Sequence, residues 1–88
     1  MKVKPIDRVG KSRQGCITAT YDEIVKAVGF EPNATHLDDP VKVKASWGFE
    51  AEDGRQAFIW CYKWHGDPKD CERWSIDDSD GLLYDLGL

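Results

Sequence analysis

The chain has 88 residues, 32% of them charged and 41% hydrophobic, four tryptophans and a formal net charge of −4. That length makes one domain, with too much apolar material for a disordered chain and no apolar run near the ~20 residues that cross a bilayer. The acidic balance argues against direct nucleic-acid binding, because phosphate contacts supply most of that affinity.

The charge is unevenly spread. Residues 1–15 carry Lys2, Lys4, Arg8, Lys11 and Arg13 against Asp7 alone, while the rest carries seven basic and fifteen acidic side chains. The opening MKVKPID has no apolar h-region, so it does not read as a signal peptide. Three cysteines, an odd number, fit a reducing, cytoplasmic compartment. Residues 1–14 lack periodicity and read as a basic N-terminal arm or lead-in, with 15–88 as a single α+β domain.

"GCITAT" alternates and predicts a short strand. "TYDEIVKAVG" then predicts a helix of about nine residues. Thr20 and Glu23 form a capping box, and Tyr21, Ile24, Val25 and Val28 make the apolar stripe. Gly29 and Pro32 stop the helix. "EPNATHLDDP" is a loop rich in turn formers. In "KVKASWGFE", Val43, Ala45, Trp47 and Phe49 share one side of a strand. Asp53-Gly54 predicts a two-residue hairpin turn. That register sets Phe49 opposite Phe58 and Trp47 opposite Trp60. The alternate aromatics Phe58, Trp60, Tyr62 and Trp64 then join the core face. "ERWSI" is a last strand carrying Trp74. "DDSDGLLYDLGL" reads either as a short helix capped by Ser79 or Asp80, or as an edge strand. The expected fold is one small antiparallel sheet with one short helix packed across one face.

Chemistry-bearing clusters are sparse. Cys61 and His65 are four apart on a strand, about 13 Å, and no C-x₂-C or H-x₃-H spacing supports zinc. The run Asp77, Asp78, Asp80-Gly81 puts Ile76 and Gly87 at the first and last ligand positions of a calcium loop, where neither serves. Cys71 with His65 and Asp67 or Asp70 is the one local nucleophile-base grouping, and there is no Gly-rich phosphate loop. The expectation is a non-enzymatic protein without metal or cofactor.

The aromatic surface remains. A nine-residue helix is about 14 Å long and leaves one end of the sheet for other segments to cover. Trp64, His65, Asp67, Asp70, Glu72 and Trp74 cluster there and are the expected partner-binding residues. Trp would supply desolvation energy, and the acidic rim would steer a basic partner.

The motifs "ITATYDEIVKAVG", "EPN", "VKASWGFE" and "DGRQAFIWCYK", in that order over residues 17–63, resemble a group of small phage and prophage proteins. The resemblance implies a phage-borne origin and a host-cytoplasmic setting, and brings no catalytic residues with it. Small phage accessory proteins often bind host machinery, so the expected function is inhibition or modulation of a host protein, with an anti-defence (anti-CRISPR-like) role preferred. The partner would be a nucleic-acid-handling or defence complex, with no membrane involved. The alternative is a small-ligand or nucleotide binder with an aromatic pocket beside the helix.

Overall fold

The computed structural model describes residues 2–10, 12–39 and 41–88. Met1, Lys11 of the basic segment and Pro40 of the Asp38-Asp39-Pro40 turn lie outside the described residues. Five strands, β1 (Val3–Pro5), β2 (Gly15–Thr18), β3 (Val43–Ala51), β4 (Gln56–Tyr62) and β5 (Arg73–Asp77), form one sheet in the order β1-β3-β4-β5-β2. Every neighbouring pair is antiparallel. Helix α1 (Tyr21–Val28) follows β2, and a one-turn helix α2 (Leu82–Asp85) closes the chain. No helix among the described residues is long and apolar enough to cross a membrane.

The sequence signals for α1 act as expected. The Thr20 hydroxyl accepts from the Glu23 amide at 3.1 Å, and the Glu23 carboxylate accepts from the Thr20 amide at 2.9 Å. Two otherwise orphaned donors are thus satisfied. Gly29 ends the helix in the left-handed region, at φ 90°. Tyr21, Ile24 and Val28 are its buried residues.

The hairpin differs from the expected one by one residue. Gly54 has φ 89°, while Asp53 stays at negative φ, so a type I′ turn, which needs both, does not form. The Gly54 amide donates to the Ala51 carbonyl at 3.0 Å, and the Ala51 amide to the Arg55 carbonyl at 2.8 Å. The loop therefore holds three residues, 52–54, with Gly54 taking the left-handed position such loops require. One extra loop residue reverses one strand's faces relative to the other. Trp47 lies opposite Ile59 and Phe49 opposite Ala57, while Gly48 lies opposite Phe58 and Ser46 opposite Trp60. Hence Ala57, Ile59 and Cys61 face the core, fully buried. Phe58, Trp60 and Tyr62 lie on the second face. The pairing of Trp47 with Trp60 expected from Asp-Gly is corrected accordingly.

The core face is built on three interlocked rings. Trp47 and Trp74 meet edge to face, centroids 5.3 Å apart, and Tyr21 from α1 packs 5.4 Å from Trp47. Each indole N–H has a partner: Trp47 donates to the Phe30 carbonyl at 3.0 Å, Trp74 to the Ala19 carbonyl at 2.9 Å. Tyr21 donates its hydroxyl to the Glu31 carboxylate. Leu82 and Leu83 of α2 join the same cluster. The Asp78 carboxylate accepts from the amides of Leu82 (2.9 Å) and Leu83 (3.1 Å). The C-terminal segment is thus a helix, and its capping carboxylate belongs to Asp78, not to Ser79 or Asp80.

The N-terminal segment joins this sheet. Val3–Pro5 pair with Phe49–Ala51, and the chain then leaves the edge and crosses the second face. Asn33 holds the crossing in place: its Nδ2 donates to the carbonyls of Ile6 (3.0 Å) and Gly48 (2.9 Å), and its Oδ1 accepts from the Gly48 amide. Gly48 lacks a side chain because the Arg8 carbonyl occupies that space, and Gly10 lies over the Trp60 ring. This segment half-buries Phe58 and Trp60.

Two outcomes follow. Trp47→Ala should cost about 3–5 kcal/mol in urea unfolding, a large part of the total stability of a small domain, whereas Trp60→Ala should cost less, about 1–2 kcal/mol, because its ring is only partly buried. Equal costs would contradict the observed register. The second concerns Tyr21, whose phenol is pushed up to about 12 by burial and then by its hydrogen bond to Glu31. A raised folded pKa means that the unfolded chain, titrating near the ordinary value of 10.0, loses its proton first. This contribution is intact below pH 10 and drains away as pH rises toward 12. Stability of the wild type should fall more steeply across that window than stability of Tyr21→Phe, measured by denaturant melts at each pH.

Candidate functional site

The site begins where β4 ends. Lys63 donates its amide to the Lys42 carbonyl at 2.7 Å, the last ladder bond, and takes φ 55°. It is the one non-glycine with positive φ among the described residues, a conformation costing on the order of 1 kcal/mol. That turn throws Trp64 out of the strand direction that simple alternation assigned to it. Trp64 is 36% exposed. Its indole N–H donates to the Asp67 carbonyl at 2.8 Å, and its ring packs over Gly66. The Asp67 carboxylate accepts from the Lys69 amide at 2.9 Å and so starts the tight 3-10 turn Pro68–Asp70. The loop is therefore internally braced around a presented indole.

Of the six residues expected to bind a partner, Trp64, His65, Asp67, Asp70 and Glu72 are exposed on or beside this loop. Trp74 is not available: it is fully buried between Trp47 and Tyr21. Strand pairing turns its ring toward α1, where area burial outweighs exposure. Tyr62, 43% exposed, replaces it as the second aromatic.

The charge around Trp64 has two signs. Asp67, Asp70 and Glu72 lie on the loop side, interspersed with the exposed Lys63 and Lys69. On the sheet side a shallow cleft of about 250 Å³ is lined by Arg13, Cys16, Tyr62, Trp64, Arg73 and Ser75, with the buried Trp74 between the last two in the chain. Arg13, Cys16 and Arg73 were missed from sequence because β2 and β5 are far apart in the chain and meet only as neighbours in the sheet. Cys16 lies opposite Ser75, and the Arg73 Nε–H donates to its sulfur at 3.3 Å. That bond, with help from Arg13, holds the thiol below the usual cysteine range. Cys61 is the opposite case: burial, then its contact with Cys71, pushes it up to about 12.

Among the described residues no three of His, Cys, Asp and Glu converge as metal ligands. The chain does turn before His65, but Cys61 is sealed in the core. Cys71 is also buried, with its thiol directed to the Arg73 carbonyl at 3.1 Å and not to His65. Beneath the helix the rings of Tyr21, Trp47 and Trp74 pack against one another, and at its C-terminal end a cleft of about 380 Å³ is lined by Lys2, Lys26, Val28, Phe30 and neighbours. Clefts occur elsewhere: one of about 480 Å³ is lined by Lys2, Lys4, Glu50 and neighbours without an aromatic. Another, of about 410 Å³, lies beside Trp60 and Tyr62.

The thiols provide a direct check of this geometry. N-ethylmaleimide should label the native chain once, at Cys16, and the urea-unfolded chain three times, read by intact-mass spectrometry. Rapid native labelling at Cys61 or Cys71 would contradict the packing of β4 on β5.

Comparison with known protein families, with curated proteins and with solved structures finds no match to this chain.

Proposed function

We propose that the chain is a small protein-binding module that inhibits or modulates a host protein, and that Trp64 is its anchor. One observation carries this reading. A large aromatic is held out in solvent by a strained backbone at Lys63 and a hydrogen bond to Asp67. A tryptophan braced in this way loses little rotamer entropy when a partner covers it, so more of its desolvation energy reaches affinity. Trp, Tyr and Arg are also the residue types that dominate binding energy at protein interfaces, and Tyr62, Arg13 and Arg73 supply the other two.

The resemblance of "ITATYDEIVKAVG" through "DGRQAFIWCYK" to small phage proteins supports a host target. The conspicuous residues of those motifs have structural work: Thr20 and Glu23 cap α1, Asn33 fastens the N-terminal segment, and Trp47 fills the core. The binding surface therefore lies outside them, in the loop after Tyr62. Asp67, Asp70 and Glu72 favour a partner with a basic contact patch on the loop side, as proteins that handle nucleic acid have. A defence complex is the preferred target on these grounds.

The test compares three immobilised variants in host lysate, with captured proteins identified by mass spectrometry. Trp64→Ala should keep its melting temperature and lose the captured partner, with affinity for the purified partner reduced at least tenfold, about 1.4 kcal/mol or more. Asp70→Lys with Glu72→Lys should slow association and flatten its salt dependence. Tyr84→Ala removes an 86% exposed aromatic on α2 and should change nothing. Full capture by Trp64→Ala sinks the proposal. A nucleotide released from the purified wild type would favour the Trp60–Tyr62 cleft and the small-ligand reading instead.

A further inference from the structure

The two edges of the sheet are not alike. Edge strand β1 carries Lys4 and Pro5, with Lys2 beside it. Lysine and proline are the usual guards against unwanted pairing, since a charge must be desolvated and proline offers no donor. At the other edge, β2 pairs with β5 alone. Its run from Gln14 to Thr20, QGCITAT, holds no charged residue and no proline, in a chain that is 32% charged.

The phase of β2 shows what this edge offers. Ala19 donates its amide inward, to the Glu72 carbonyl at 2.9 Å. Hydrogen-bonding direction alternates along an antiparallel strand. Ile17, opposite Trp74, therefore also bonds inward, and Cys16 and Thr18 turn their amides and carbonyls outward. Thr18 is exposed and Cys16 partly so.

We infer that this edge is the seam of a symmetric dimer, with β2 of two copies pairing antiparallel into one continuous sheet. Charge selects a second copy as the occupant. The basic residue Arg13 lies just before β2, and Asp22 and Glu23 lie just after it in the first turn of α1. Antiparallel pairing places the start of each strand beside the end of the other, so each Arg13 meets the acidic turn of the opposite copy. Among the described residues neither Arg13 nor Asp22 has an ion-pair partner within its own chain. Of the registers the outward groups allow, the inferred one centres on β2: Cys16 opposite Thr18 of the second copy, twice, with Ile17 opposite itself on the axis. Those two pairs make about four hydrogen bonds. This seam shares Arg13 and Cys16 with the cleft beside Trp64 but not Trp64 itself, and its readout, the oligomeric state, does not depend on the proposed function.

Sedimentation equilibrium on the full chain, from micromolar to near-millimolar concentration, tests it. The wild type should pass from monomer to dimer across that range. Arg13→Glu and Asp22→Arg should each weaken the dimer about tenfold, and the two together should restore it, since a merely structural effect would not be rescued by reversing both charges. Thr18→Cys tests the register independently: its new thiol faces Cys16 of the other copy at a Cα separation of about 5.5 Å, within disulfide range. Diamide should then give a covalent dimer on a non-reducing gel that Cys16→Ser in the same background abolishes. A wild type that stays monomeric throughout, or a dimer indifferent to both charge reversals and not trapped by Thr18→Cys, would overturn the inference.

Discussion

The three-residue loop between β3 and β4 decides which side chains become core. A left-handed glycine at Gly54, after an Asp53 that stays in the ordinary region, lengthens the turn by one residue. The side-chain period of a strand is two, so one residue exchanges the faces. Ala57, Ile59 and Cys61 are therefore turned under α1 with Trp47 and Phe49, and Phe58, Trp60 and Tyr62 are turned away. A small core gains from this arrangement. Two indoles and a phenol already occupy the space beneath the helix, and the small Ala57 and Cys61 fit around them where Phe58 and Trp60 would overpack.

The second face then needs its own cover, and the N-terminal segment provides it. Its backbone crosses Gly48, reaches Trp60 at Gly10, and is held by the Asn33 amide. The same chain thus serves as edge strand, lid for the second face and lead-in to the opposite edge at β2. The cover stops short of Tyr62. With Lys63 bending the chain outward, Tyr62 and Trp64 stay exposed together at one end of the sheet, apart from the exposed Tyr84 on α2.

That end combines rigidity with accessibility. Trp64 is fixed through Asp67, and Asp67 is fixed through the turn it starts. Acidic groups lie on one side, and Arg13 and Arg73 on the other beside the Cys16 thiol. The surface is directional: under the proposed function a partner would place basic groups over the loop and neutral or acidic groups over the strands. The unguarded edge of β2 begins at the far side of the same cleft, so a second copy paired there would border the Trp64 surface without covering Trp64 itself.

Local rules in the sequence determined α1 and its limits, the strand character of β3 to β5, the loop after Gly29 and the presence of a turn at Asp53-Gly54. These depend on neighbours within four residues: a capping box, a left-handed glycine, alternation. Trp64, His65, Asp67, Asp70 and Glu72 were legible as surface because a charged loop with Pro68 has no way to be buried. The hairpin register was not legible, because Asp-Gly serves both a two-residue and a three-residue loop and only strand pairing selects between them. The burial of Trp74, the strand formed by Val3–Pro5, and the meeting of Arg13, Cys16 and Arg73 with Tyr62 were settled by tertiary structure alone. Each requires segments as much as 57 residues apart to lie side by side, and no local pattern encodes which strand becomes the neighbour of which.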